Sequence, residues 1–263
     1  MADTSKLKLE LYSTNNSKIL KGADRYTPIV LHLAPADLSG YNTCQAASAG
    51  CKKACLNTTG NARFQTVQAA RVRRTKMLFE EGQRFARIAR RDIDRAAEYA
   101  ADHGDKLAVR NNGTSDFPWH QMRHYDAFDG MSLIEYIHSI GGIVYDYTAR
   151  IQSLKSAPSY YHLTFSRKED NDHKVAEAIQ LGFNVAVVVN KALKQRLLCE
   201  GVDGFPVIDG DIDDLRFEDR QGALVLLSSK GRAQTDDSGF TIQKMHHFDS
   251  FIHNLSRNIR GLK

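Results

Sequence analysis

Val185-Ala186-Val187-Val188-Val189 is a run of five apolar residues with no polar alternation. A strand with one face in water alternates apolar and polar side chains. A run that does not alternate reads as buried on both faces, the condition of a strand in a parallel sheet covered by helices. Short apolar runs of the same kind recur on either side of it, at residues 29–33, 107–110, 143–147 and 161–165 before it and at 206–209 and 223–227 after it. Helical patterns fill the intervals. The longest covers about 64–103, where Val67, Ala70, Val72, Met77, Phe79, Phe85, Ile88, Ile93 and Ala97 recur at near-helical spacing and Gly82 is the expected break. Later helices are expected at about 131–140, 172–181, 191–199 and 246–260, with Gly141-Gly142, Gly182 and Gly201 as C-terminal stops. The alternation predicts an α/β protein with a mainly parallel sheet. Seven strands favour a full or partial (β/α) barrel over an open doubly wound sheet. No repeat, low-complexity tract or proline-rich linker interrupts the chain, so one domain is expected over residues 1–263, with 1–27 as an N-terminal extension and 246–260 as a C-terminal helix.

The chain has 263 residues, of which 42% are hydrophobic and 25% charged, ordinary globular usage. No stretch approaches the roughly 20 apolar residues needed to span a bilayer. The start, Met1-Ala2-Asp3-Thr4-Ser5-Lys6, lacks the apolar core of a signal peptide, so a cytoplasmic protein with no membrane partner is expected. Four cysteines are too few for a disulfide scaffold. Net charge is only +5, but between Arg63 and Arg95 lie Arg71, Arg73, Arg74, Lys76, Arg84, Arg87, Arg90 and Arg91. That stretch reads either as the solvated face of amphipathic helices or as a face for the phosphates of a nucleic acid.

Three of the four cysteines, Cys44, Cys51 and Cys55, sit in a polar, Gly- and Ala-rich loop just after the first apolar run. Thiolates gathered this way hold a metal or an iron–sulfur cluster. If the segment after Gly50 is helical, Cys51 and Cys55 project from one face, and the arm back to Cys44 supplies a third ligand. Three ligands make an open site, whereas structural zinc normally takes four. Cys199 is expected to pack beside Leu197 and Leu198 in a helix.

In β/α folds chemistry collects where strands hand over to the following loops. The segments there are Arg110-Asn111-Asn112-Gly113-Thr114-Ser115-Asp116, Asp146-Tyr147-Thr148, Ser166-Arg167, Asn190-Lys191, Asp209-Gly210-Asp211 and Ser228-Ser229-Lys230-Gly231-Arg232. Asp209, Asp211 and Lys230 are candidates for substrate contact or proton transfer. Asp209 does not open a calcium loop, because Asp214 stands where glycine is required and Arg220 where an acid is required. His120 and His124 have helical i, i+4 spacing but no adjacent glutamate, and read as surface histidines of a helix. Phosphate-loop, dinucleotide and nucleophile-elbow motifs are absent from the sequence.

A strand followed at once by three clustered cysteines, opening a β/α alternation, resembles the radical S-adenosylmethionine (SAM) enzymes. Most of the chain also resembles a family of bacteriophage proteins of the gene product eighty-eight type. That likeness is carried by Leu31-His32-Leu33-Ala34-Pro35 with the cysteine loop, the 110–116 segment, Tyr161-His162-Leu163-Thr164-Phe165-Ser166-Arg167, Val207-Ile208-Asp209-Gly210-Asp211, Lys230-Gly231-Arg232-Ala233 and Asp237-Ser238-Gly239-Phe240. The phage likeness implies the host cytoplasm. The radical SAM likeness implies a partial barrel and a [4Fe-4S] cluster on Cys44, Cys51 and Cys55, although the spacing here is C-x6-C-x3-C where that family usually has C-x3-C-x2-C. It further implies that SAM is bound at the fourth iron. Asn112, Gly113 and Thr114 then correspond to the segment holding its amino group, and Ser166 and Arg167 to residues holding its carboxylate. An external electron donor and a substrate of unknown identity complete the implied chemistry. The alternatives are a non-catalytic zinc or iron–sulfur protein and a nucleic-acid-binding protein with a structural cluster.

Overall fold

Among the described residues, seven of the eight strands coincide with the apolar runs. The computed structural model describes residues 7–14, 25–123 and 125–261, so most of the expected N-terminal extension and His124 lie outside the described residues. The strands are β1 (Tyr12–Ser13), β2 (Tyr26–Leu31), β3 (Lys106–Arg110), β4 (Ile143–Thr148), β5 (Tyr161–Ser166), β6 (Asn184–Val189), β7 (Val207–Asp209) and β8 (Leu224–Ser228). The helices are α1 (Ala49–Lys53), α2 (Gln65–Glu80), α3 (Gly82–Asp102), α4 (Leu133–Ser139), α5 (Ile151–Ser156), α6 (Asp172–Gln180), α7 (Lys191–Glu200) and α8 (Met245–Gly261). The 64–103 helix breaks at Glu81, just before Gly82, and Gly141, Gly182 and Gly201 take the positive φ that ends a helix.

All strands belong to one mixed sheet in the order β1-β2-β3-β4-β5-β6-β8-β7. β2 through β8 run parallel and β1 pairs antiparallel with β2. Among the described residues no pairing joins β1 to β7. Pro28 is tolerated inside β2 because β1 reaches only Val30 and Leu31, leaving the other edge free where proline lacks its N–H. β1 itself is held from α3. The Asp92 carboxylate accepts from the backbone N–H groups of Glu10 (2.8 Å), Leu11 (2.7 Å) and Tyr12 (3.3 Å).

The strand order places the two faces. From β2 to β6 each strand lies beside its predecessor, so right-handed crossovers put the helices on one side. There Ile29, Leu31, Leu107, Val109, Val144, Val185, Val187, Leu224 and Leu226 pack with helix residues such as Phe85, Ile93, Ile134, Val175, Phe248 and Leu255 in one apolar core. The chain then passes the place of β8, lays down β7 at the edge and returns. A right-handed return in the reverse direction crosses the opposite face, and residues 210–223 do so. Phe217 meets Tyr26 (centroids 5.0 Å), Tyr145 (5.3 Å) and His162 (6.0 Å), and Asp214 pairs with Arg110 at 2.7 Å. This strap explains why Arg110, Tyr145 and Tyr147 point away from the helices yet are largely covered.

Candidate functional site

The cysteine loop leaves β2 and is stitched to the turn after β3. Gly113 N–H donates to Leu31 O (3.0 Å), Thr114 Oγ1 to Leu33 O (2.6 Å), Thr43 Oγ1 to Ala34 O (2.6 Å) and Asp116 N–H to Thr43 O (2.9 Å). Gly113 is required by close approach: a Cβ there would lie 2.5 Å from His32 Nδ1 and 2.7 Å from Val30 Cγ1. Asn112 is consumed by this turn. Its Oδ1 accepts from Ser115 Oγ, Phe117 N–H and Trp119 Nε1.

The segment after Ser48 is helical. Ser48 caps α1 by accepting from Cys51 N–H (3.1 Å), and Glu169, from the turn after β5, accepts from Ser48 Oγ and Gly50 N–H, each at 2.7 Å. Cys51 lies in α1 and Cys55 just beyond it. Cys44 Sγ lies 3.8 Å from Thr114 O. All three are free thiols, each partly buried. Burial pushes the Cys44 and Cys55 thiols up, and the cysteines act on one another: Cys51 on both of these, and Cys44 on Cys55. Among the described residues no three His, Cys, Asp or Glu side chains are arranged to hold a metal ion. Three thiols are the donor type a thiophilic group takes, but as placed they do not form a metal-holding group.

Two cations border this triad. Lys168 Nζ lies 3.2 Å from Cys51 Sγ. Arg71, from α2, bonds Asn57 Oδ1 and acts on Cys55 to favour its thiolate. Lys168 is 7% exposed and Arg71 6%, and among the described residues neither forms an ion pair with a carboxylate. Burial, with the positive fields of Arg71, Arg110 and Arg74, pushes the nearby His32 down to about 3, so that imidazole is neutral.

The remaining sequence candidates fall into two groups. Arg167 spends its guanidinium on Asp172 (3.1 Å) and the carbonyls of Gly239 and Phe240 (3.3 Å for the latter), with its fork over the Phe251 ring. Ser166 O accepts from Asn171 Nδ2 at 3.0 Å. Asp209, Asp211 and Lys230 do converge, around an ammonium the sequence did not reveal. Lys194 of α7 bonds Asp209 and, at 2.7 Å, Asp211, while Lys230 Nζ lies 3.2 Å from Asp211. Burial alone would raise the Asp211 carboxyl, but Lys194, Ser228 and Lys230 outweigh it and hold it below the usual range. Lys168, Glu169 and Lys194 were all missed. Arg71 was visible only as one of a run of basic residues. His120, buried, meets Ser156 Oγ at 2.9 Å. Cys199 is exposed, contrary to expectation: Leu193, Lys194 and Leu197 mark the buried side of α7, and two residues further the helix has turned about 200° away.

Asp146 sets a pH dependence. It is fully buried, accepts from Asn111 and Asn112 N–H and Tyr161 Oη, and burial pushes it up to about 7. Since the folded pKa exceeds the unfolded one, the native state holds an extra proton between about pH 4 and 7, and its stabilising share is lost as pH rises through about 7. Urea unfolding at pH 5 and pH 8 should show wild type losing about 2–3 kcal/mol between the two, with the loss much reduced in Asp146→Asn.

Fold and site together define a mixed α/β protein with three free thiols in a cationic setting at the carboxyl ends of a largely parallel sheet. The chain belongs to the gene product 88 family, whose model matches residues 5–244. No curated protein and no solved structure matches it.

Proposed function

We propose that this protein is an iron–sulfur enzyme of radical SAM type, with Cys44, Cys51 and Cys55 as the ligands of a [4Fe-4S] cluster at the mouth of a partial (β/α) barrel. The observation that carries this reading is the pair of buried cations, Lys168 and Arg71, which meet sulfur or amide oxygen and form no carboxylate ion pair among the described residues. A buried charge that touches no carboxylate is costly, and although the Asp116 carboxylate lies within the field of Lys168, three ionised thiols would supply a counter-charge in contact. An electropositive, partly exposed setting is also where cysteines act as thiolates. The sequential parallel order of β2 to β6, with helices on one face, supports the partial barrel.

When bound, such a cluster supplies the single electron that reductively cleaves the C–S bond of SAM. The chain's own residues have the following tasks. Glu169 and Ser48 fix the start of α1 and so the direction of Cys51. The Asn112-Gly113-Thr114 turn presents the Thr114 carbonyl beside Cys44. Ser166 and Arg167 were the expected carboxylate binders; Lys168, the next residue, is the cation in reach of the thiols. Asp209 and Asp211, held by Lys194, with Lys230 on Asp211, form a charged group at the ends of β7 and β8 that suits substrate contact or proton transfer.

Anaerobic calorimetry of reconstituted protein tests the reading. SAM should bind, and Lys168→Met should weaken it roughly ten- to a hundredfold, the loss of one charge-assisted hydrogen bond. Absence of SAM binding by a protein that holds its cluster would remove the radical SAM assignment.

A further inference from the structure

From Leu38 to Phe79 the sequence contains no aspartate or glutamate, and it carries Lys52, Lys53, Arg63, Arg71, Arg73, Arg74 and Lys76. This acid-free stretch builds the cysteine loop, α1, the 3₁₀ turns Leu56–Thr58 and Gly60–Arg63, and all but the last residue of α2. Beyond it, the turn after β8 seats directly on the same surface: a Cβ on Gly231 would lie 2.1 Å from Thr59 Cγ2. That turn adds the exposed Arg232, and it too lacks acids.

Lys52, Arg63, Arg73, Lys76 and Arg232 are exposed and form no ion pair among the described residues. Three of the five arginines of α3 differ. Arg84 pairs with Glu81 (2.7 Å), Arg90 with Asp129 (2.9 Å) and Arg91 with Glu10 (2.5 Å), while Arg87 and Arg95 are exposed and form no ion pair among the described residues, so that face is neutralised in part. Apolar groups lie open among the unpaired cations. Leu56 is 53% and Phe64 50% exposed, and the Arg63 guanidinium lies 5.5 Å from the Phe64 ring. Cations for phosphates beside an open aromatic face for bases is the pattern of a single-strand binding surface.

We propose that the acid-free stretch 38–79, with Arg232 beside it, binds the backbone of single-stranded nucleic acid and lays it across the mouth of the thiol site. That the bound strand is also the substrate rests on the enzyme reading above; the binding does not. The strand is held by its phosphates on Lys52, Arg63 and Arg232, and one base stacks on Phe64. DNA and RNA share this chemistry, and the 2′-hydroxyl alone separates them.

Fluorescence anisotropy over a salt series tests this, with a labelled oligothymidylate of about 20 nucleotides, the matching oligouridylate and a duplex of the same length. Each single-strand phosphate contact contributes about 0.7 to the salt slope, or roughly fivefold in affinity near 0.1 M salt. Lys52→Ala/Arg63→Ala/Arg232→Ala should therefore reduce the slope by about 2 and the affinity about a hundredfold. Phe64→Ala should weaken binding roughly tenfold without changing the slope. Arg87→Ala/Arg95→Ala, on α3, should bind like wild type. Preference for oligouridylate or oligothymidylate assigns the strand as RNA or DNA. The proposal is overturned if low salt brings no binding, if the α3 variant loses as much as the rim variant, or if duplex competes equally. Repeating the titration with Cys44→Ser/Cys51→Ser/Cys55→Ser separates the two ideas, since binding there should persist without iron.

Discussion

Cys51→Ser is expected to lose nearly all bound iron, retaining below about a tenth of the wild-type complement. Loss of even an outer contact to a metal ligand lowers affinity ten- to a hundredfold, and a lost thiolate does more. Cys51 is the sulfur nearest Lys168, at 3.2 Å, so the substitution also removes the negative charge that this buried ammonium would face. Cys44→Ser and Cys55→Ser should behave alike, because the three thiols lie within one another's fields. Cys199→Ser, on the exposed side of α7, should keep its iron. Iron analysis of the four purified variants checks this, and equal iron in Cys51→Ser and Cys199→Ser would sink the ligand assignment.

Asp214→Ala should give the largest loss of stability, about 3–5 kcal/mol, by leaving a buried guanidinium without its partner. Asp214 is 1% exposed and pairs with Arg110 at 2.7 Å, where the strap crosses the sheet face opposite the helices. Arg110→Met/Asp214→Leu removes both charges and should recover most of that loss. Chemical denaturation decides it. A loss below about 1 kcal/mol for the single variant would mean that the strap is not latched by this pair.

The parallel strands were legible because burial on both faces forces unbroken apolar runs such as 185–189, and the helix stops were legible because Gly141, Gly182 and Gly201 must adopt positive φ. β1 was not, since two residues carry no period and its anchor, Asp92, is about 80 residues away. The strap was hidden for a different reason. Its position follows from β7 and β8 exchanging places in the sheet, which local pattern does not encode. At the site the cysteines were visible by their crowding, but the cation beside them was not. Arg167 and Lys168 are neighbours on a chain leaving a strand, so they point to different sides, and the sequence alone did not say which faces the thiols. Lys194 was likewise unreadable, because its partners Asp209 and Asp211 come from beyond the end of its own helix.

The central claim is that Cys44, Cys51 and Cys55 hold a four-iron cluster, and iron and acid-labile sulfide measured on anaerobically purified or reconstituted protein test it most directly. About four irons and four sulfides per chain, with a broad visible absorption that bleaches on reduction, are the expected result. About one zinc per chain, or protein that takes up no iron on reconstitution, would contradict it.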